Sequence, residues 1–99
     1  MSTLEKSREA TDMANIRAAY AEAMVGFLDT KTTEFPVYAK AQKMVQAEEG
    51  WDHIDWPEYL GSSFEVKSGD EVYVVVNDDA TIEVTKTEPT SGTDYTSKG

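Results

Sequence analysis

From Met13 to Leu28 apolar side chains repeat at the spacing of one helical face, while the residues from Ser2 to Asp12 carry a single large apolar side chain, Leu4. Ser2 and Glu5 stand at capping-box spacing, in which the hydroxyl accepts from a backbone N–H and the glutamate reaches back. The pattern predicts one helix over residues 2–29. At 1.5 Å per residue it would be roughly 42 Å long, against a radius of gyration of about 13 Å for a compact chain of this size. Its apolar half is expected to lie on a sheet and its polar first turns to project as a stalk.

Met13, Ile16, Tyr20, Ala23, Met24, Phe27 and Leu28 share one arc of the helical wheel and form the expected core face. A second stripe of small residues, Ala14, Ala18, Ala21 and Val25, runs beside it. Ala14 and Ala18, nearer the stalk, are expected to stay open to neighbouring helices. Ala21 and Val25 are expected to be buried within the chain.

Beyond the loop from Asp29 to Pro36, Val37, Tyr38, Ala41, Met44 and Val45 recur at helical spacing ahead of Gly50, predicting a second short helix over residues 37–49. An irregular connection with Trp51, Trp56 and Pro57 follows. The last third alternates with period two at Phe64 and Val66, at Val72, Val74 and Val76, and at Ile82 and Val84. With turns at Ser68-Gly69-Asp70 and Asn77-Asp78-Asp79, these read as a three-stranded antiparallel meander over residues 63–86. The expected architecture is therefore α+β: one domain over residues 1–88, a long helix packed on the meander with the short helix in the connection, and a flexible tail over residues 89–99.

The formal net charge of −10, with 19 acids against 9 bases, argues against nucleic-acid binding, which needs clustered Lys and Arg to displace counterions. Residues 1–31 hold Glu5, Glu9, Asp12, Glu22 and Asp29 against Lys6, Arg8, Arg17 and Lys31, a net of −1 that leaves −9 for the rest. A nearly neutral helix on an acidic body suits a helix gathered with copies of itself. There is no cysteine, hence no disulfide, thiolate metal site or cysteine nucleophile.

The stretch "SREATDMANIRAAYAEAMVGF" resembles the segment that follows the membrane-spanning half of the N-terminal helix in type IV pilins and pseudopilins, particularly those of Gram-positive bacteria. The likeness covers about Leu4 to Leu28, and the remainder is similar in the order of its elements. The family's cleavage glycine, methylated N-terminal residue, nearby glutamate and apolar span do not occur in these residues, as truncation behind Met1 would produce. The resemblance implies a structural subunit of a type IV pilus-like surface filament, with roles in adhesion or motility. Such a subunit is exported, anchored by the missing N-terminal segment before assembly, and partnered by copies of itself or other pilins. Met13, Ile16, Tyr20, Met24, Phe27 and Leu28 would hold the sheet, and Ala14 and Ala18 would meet neighbouring subunits. A pseudopilin of a secretion apparatus has a similar fold and is the first alternative.

No residues present the chemistry of an enzyme. His53 is the only histidine, without H-x-x-x-H or H-E-x-x-H spacing, and is expected to be polar loop surface or a satisfied packing group. Ser62, Ser63 and Ser68 lack a nucleophile elbow, and the carboxylate pairs Asp52/Asp55 and Asp78/Asp79 lack a cleft in so small a chain. Some pseudopilins carry a calcium loop near the sheet, and Asp70, Glu71, Asp78 and Asp79 are oxygen ligands. Turn formation alone accounts for them, so no cofactor or metal is expected. Trp51, Trp56 and Tyr59 among acids offer a surface for a glycan or a peptide, the second alternative. Their simpler role is to close the core.

Overall fold

The computed structural model describes residues 3–47, 50–51, 53–61 and 65–96. Helix α1 spans Thr3–Leu28, followed by strands β1 (Val37–Lys40), β2 (Tyr73–Val76), β3 (Ile82–Thr85) and β4 (Thr93–Asp94), with a 3-10 turn at Glu58–Leu60. The strands form one sheet in the order β3-β2-β1-β4. β2 is antiparallel to both β1 and β3, and β4 lies parallel to β1. The α+β class and the long first helix are as expected, but the sheet is four-stranded and mixed rather than a three-stranded antiparallel meander. No described helix is long and apolar enough to cross a membrane.

The predicted helix over residues 37–49 is replaced, over its described part to residue 47, by β1 and by chain without regular secondary structure after it. Val37, Ala39 and Ala41 face α1 and are buried, a period-two pattern that the helical spacing of Val37, Ala41 and Met44 conceals. Pairing with β2 gives this segment backbone partners that a solitary short helix would lack, so tertiary context overrides local preference. Beyond β1 the chain keeps an irregular run of bonds with residues 68–72: Ala41 N–H to Val72 O at 2.8 Å, Met44 N–H to Asp70 O at 3.1 Å and Ser68 N–H to Gln46 O at 2.6 Å. Val66 fills the core from a non-strand segment. The expectations placed on Ser2, Glu48, Glu49, Asp52, Ser62, Ser63 and Phe64 lie outside the described residues.

The tail is not frayed where it is described. Tyr95 donates its N–H to Tyr38 O at 2.8 Å and its hydroxyl to Asp29 at 2.6 Å, tying β4 to both β1 and the end of α1. Gly26 is what lets this happen, because a Cβ there would overlap the Tyr95 ring and lie 2.7 Å from Val37. Residues 97–99 are outside the described set.

The core is the layer between α1 and the inner sheet face, where Ile16, Ala19 and Ala23 meet Ala39, Val74 and Val76. Alanines on both sides keep the layers close. On the outer sheet face Tyr38, Tyr73 and Val75 form a second buried cluster, with the two rings edge-on at 6.4 Å. Val75 shares its groove with Thr87, Glu88 and Pro89, so the β3–β4 connection runs over that face.

Candidate functional site

The first half of α1 is not a stalk. Asp12, fully buried, accepts from Val45 N–H at 2.8 Å and from Gln46 N–H at 3.0 Å. Glu9, 1% exposed, accepts from His53 N–H at 2.9 Å, from Ile54 N–H at 3.3 Å and from the His53 ring Nδ1 at 2.6 Å. Glu5 accepts from Ala47 N–H at 3.1 Å and lies 3.6 Å from Arg8. Three carboxylates one turn apart thus supply acceptors to a connection whose backbone donors have no ladder to join.

The electrostatics of the two deepest carboxylates differ. Burial pushes the Asp12 carboxyl up and outweighs the pull of the Val45 and Gln46 amides, with the charge of Glu5 adding to the rise. Burial also pushes Glu9 up, but the His53 amide, the His53 ring and the Ile54 amide together hold it below its ordinary value.

His53 is thus a satisfied packing group, the second of the two roles expected for it, and Glu5, Glu9 and Asp12 are the residues that sequence reasoning missed. A signal was present. Glu5, Glu9, Asp12, Ile16, Ala19, Ala23 and Gly26 follow one another at alternating steps of four and three, so the acids continue the buried stripe toward the N-terminus.

With one face filled by carboxylates and then by core, the opposite face of α1 points away from the chain. Ala10, Ala14, Ala18 and Ala21 are exposed, as are Val25 at 64% and Leu28 at 70%. Met13 and Ile16 are buried as expected, and Tyr20, Met24 and Phe27 are half-buried against the core. Leu28 is not a core residue, and Ala21 and Val25 are not covered within the chain. The buried arc is rotated toward Ala19 and Gly26, and the expected second helix that would have covered them is a strand in the sheet.

Trp51 and Trp56 meet at 5.5 Å between ring centres, both packed against the core, and Trp56 donates its ring N–H to Gly61 O at 3.0 Å. Tyr59 instead meets Tyr20 at 4.7 Å and is 46% exposed. Trp51 and Trp56 thus line the wall of the core, the simpler of their two expected roles, and Tyr59 stands apart from them on the surface beside Tyr20. The turn carboxylates have partners within the chain: Asp70 holds Lys67 N–H at 2.9 Å and Lys86 at 3.1 Å, Glu71 holds Lys40 at 2.6 Å, and Asp79 holds the Thr81 hydroxyl at 2.7 Å. Among the described residues no three His, Asp or Glu side chains are placed to hold a metal ion.

No family model, no curated protein and no solved structure matches the chain.

Proposed function

We propose that the chain is a structural subunit of a type IV pilus-like surface filament, packing against copies of itself through the outward strip of α1. The observation that carries this reading is that strip: alanines at helical spacing ending in Val25 and Leu28, which are 64% and 70% exposed while the other face of the same helix is filled. A strip of small and apolar residues along a 26-residue helix allows another helix to approach closely and leaves apolar surface that water disfavours. An apolar continuation ahead of this sequence would anchor the subunit in a membrane before assembly. In that position the acidic sheet side faces solvent at the cell surface.

The test begins with the codons upstream of Met1, where the reading expects an apolar run of about 20 residues behind a short basic leader. It continues with Ala18→Leu in the chain carrying that run. Ala18 is exposed, so the substitution should leave folding intact and stop filament assembly, scored by electron microscopy of sheared surface material. Normal filaments from the Ala18→Leu protein would defeat the proposal.

A further inference from the structure

Residues 93–96 are held as a unit. Thr93 donates its N–H to Pro36 O at 3.0 Å and its hydroxyl to Glu34 O at 2.9 Å, and Tyr95 donates its N–H to Tyr38 O at 2.8 Å. Lys40 N–H in turn donates to the Thr96 hydroxyl at 2.8 Å. The Tyr95 ring packs against Gly26, and its hydroxyl reaches Asp29 at 2.6 Å, which holds that carboxyl below its ordinary range. These partners all belong to the β1 edge, to the turn before it or to the end of α1. The seat is therefore complete without β3, the strand from which the chain arrives.

The connection that delivers the strand is tied only at its ends. Among the described residues, 88–91 carry no hydrogen bond, and an open groove of about 390 Å³ lies between them and Val75, Glu83 and Thr85 of the sheet. Its length leaves slack as well. Thr85 is level with Tyr73 and Lys40, and Thr93 with Val37, so the two ends are three strand spacings apart across the sheet and three residues apart along it, roughly 17 Å. Residues 86–92, drawn out between those ends, reach about 26 Å.

We propose that residues 93–96 are an exchangeable strand, and that the β1 edge and Gly26 socket of one copy receive the same residues of a second copy of this chain. The seat offers identical chemistry to either source: the Pro36 and Tyr38 carbonyls for the backbone, the Gly26 socket for the ring and Asp29 for its hydroxyl. What separates the two sources is effective concentration, which a short connection raises to about the millimolar range for the chain's own strand. A β1 edge vacated by its strand presents unpaired backbone groups that another extended segment satisfies. Each copy has one strand and one seat on different parts of its surface, so exchange can link copies head to tail. The inference goes beyond the filament reading and does not depend on it. Ala14 and Ala18 of the outward strip stay exposed with the seat filled, and the outer sheet face keeps its solvent side.

Sedimentation velocity on a chain lacking only residues 88–91 tests this. What remains of the connection spans about 14 Å, too short for the chain's own seat. At about 0.5 mM that chain should form oligomers while the wild type stays largely monomeric, and native-state hydrogen exchange should find the Tyr95 amide protected in the oligomers. Adding Tyr95→Ala to the deletion should return it to the monomer. The Tyr95→Ala chain with its connection intact probes the seat without a deletion. A synthetic peptide of residues 90–96 at about 2 mM should shift the amide resonances of Gly26 and Tyr38 in that chain, and the wild type, whose seat is filled, should bind the peptide at least about tenfold more weakly. A folded deletion chain that stays monomeric, oligomers that survive Tyr95→Ala, or a peptide that leaves Gly26 and Tyr38 unshifted would each overturn the inference. None of these outcomes touches the Ala18→Leu assembly result, so the filament reading stands or falls separately.

Discussion

The two halves of α1 are buried by different chemistry. From Met13 onward the inward face is apolar, and Ile16, Ala19 and Ala23 are packed against β1 and β2. Before Met13 the inward face is Glu5, Glu9 and Asp12, which hold the connection by accepting its backbone N–H groups. The sheet needs no such help, because its own ladder satisfies its backbone. Among the described residues 45–47, 50, 51, 53 and 54 none lies in a strand, so the helix in front of them must bring acceptors. A polar stretch of helix is therefore a surface stretch only where the chain opposite it has its hydrogen bonds already made.

The sharpest way to break this comparison is to remove one member from each half. Asp12→Ala leaves the buried Gln46 donor and the part-buried Val45 donor unmet and should cost about 3 to 5 kcal/mol. Ile16→Ala opens a cavity between α1 and the sheet and should cost about 2 to 4 kcal/mol. The two losses should differ in kind. In native-state hydrogen exchange, Asp12→Ala should speed exchange at Val45 and Gln46 far more than in β2, whereas Ile16→Ala should lower protection in β1 and β2 together. Matching exchange patterns for the two variants would mean that the halves of α1 do not act separately.

How far the sequence reveals this division follows from the same physics. The length of α1 and the strands β2 and β3 are visible as periodicities, since Val72, Val74, Val76, Ile82 and Val84 all alternate. The turn at Asn77 is visible too, and it closes with Asn77 N–H on Thr81 O at 2.9 Å. β1 is hidden because Val37, Ala41 and Met44 satisfy a helical period as well as a strand's, and only its pairing with β2 decides between them. β4 is hidden because Thr93 and Asp94 carry no apolar signal, and their place depends on Tyr95 reaching Asp29 across the whole chain. The carboxylates are hidden by chemistry rather than by spacing. A scale that counts Glu and Asp as surface cannot register that they continue the stripe of Ile16 and Ala23.

A smaller effect separates the two carboxylates within the polar half. Glu9 lies below its ordinary value of 4.5, so its contribution is present above that range and is lost as pH falls through the lowered folded value. Asp12 lies above its ordinary value of 3.8, so its ionisation contributes in the opposite sense: the folded state is favoured on the acid side and loses that advantage as pH rises through the folded value. Glu9→Gln should cost about 1 to 3 kcal/mol at neutral pH through the lost charged acceptor for His53 and Ile54. Its deficit relative to wild type should shrink toward pH 3, whereas the deficit of Asp12→Asn should grow. Urea titrations at a series of pH values measure both, and deficits that move in the same direction would refute the contrast.

The smallest expected effect lies on the outward face and completes the comparison. Leu4 is 56% exposed and Leu28 is 70% exposed, one at each end of a helix whose inner face differs so much between its halves. Leucine at an exposed position has little to lose on truncation, because the area it removes from water in the folded chain is small and alanine is the better helix former. Leu4→Ala and Leu28→Ala should therefore each change stability by less than about 0.5 kcal/mol in the monomeric chain. In thermal scans at low protein concentration the two variants should melt with the wild type. A loss of more than about 1 kcal/mol at Leu28 would mean that the end of α1 is covered by its own chain, and the outward strip would then stop at Val25.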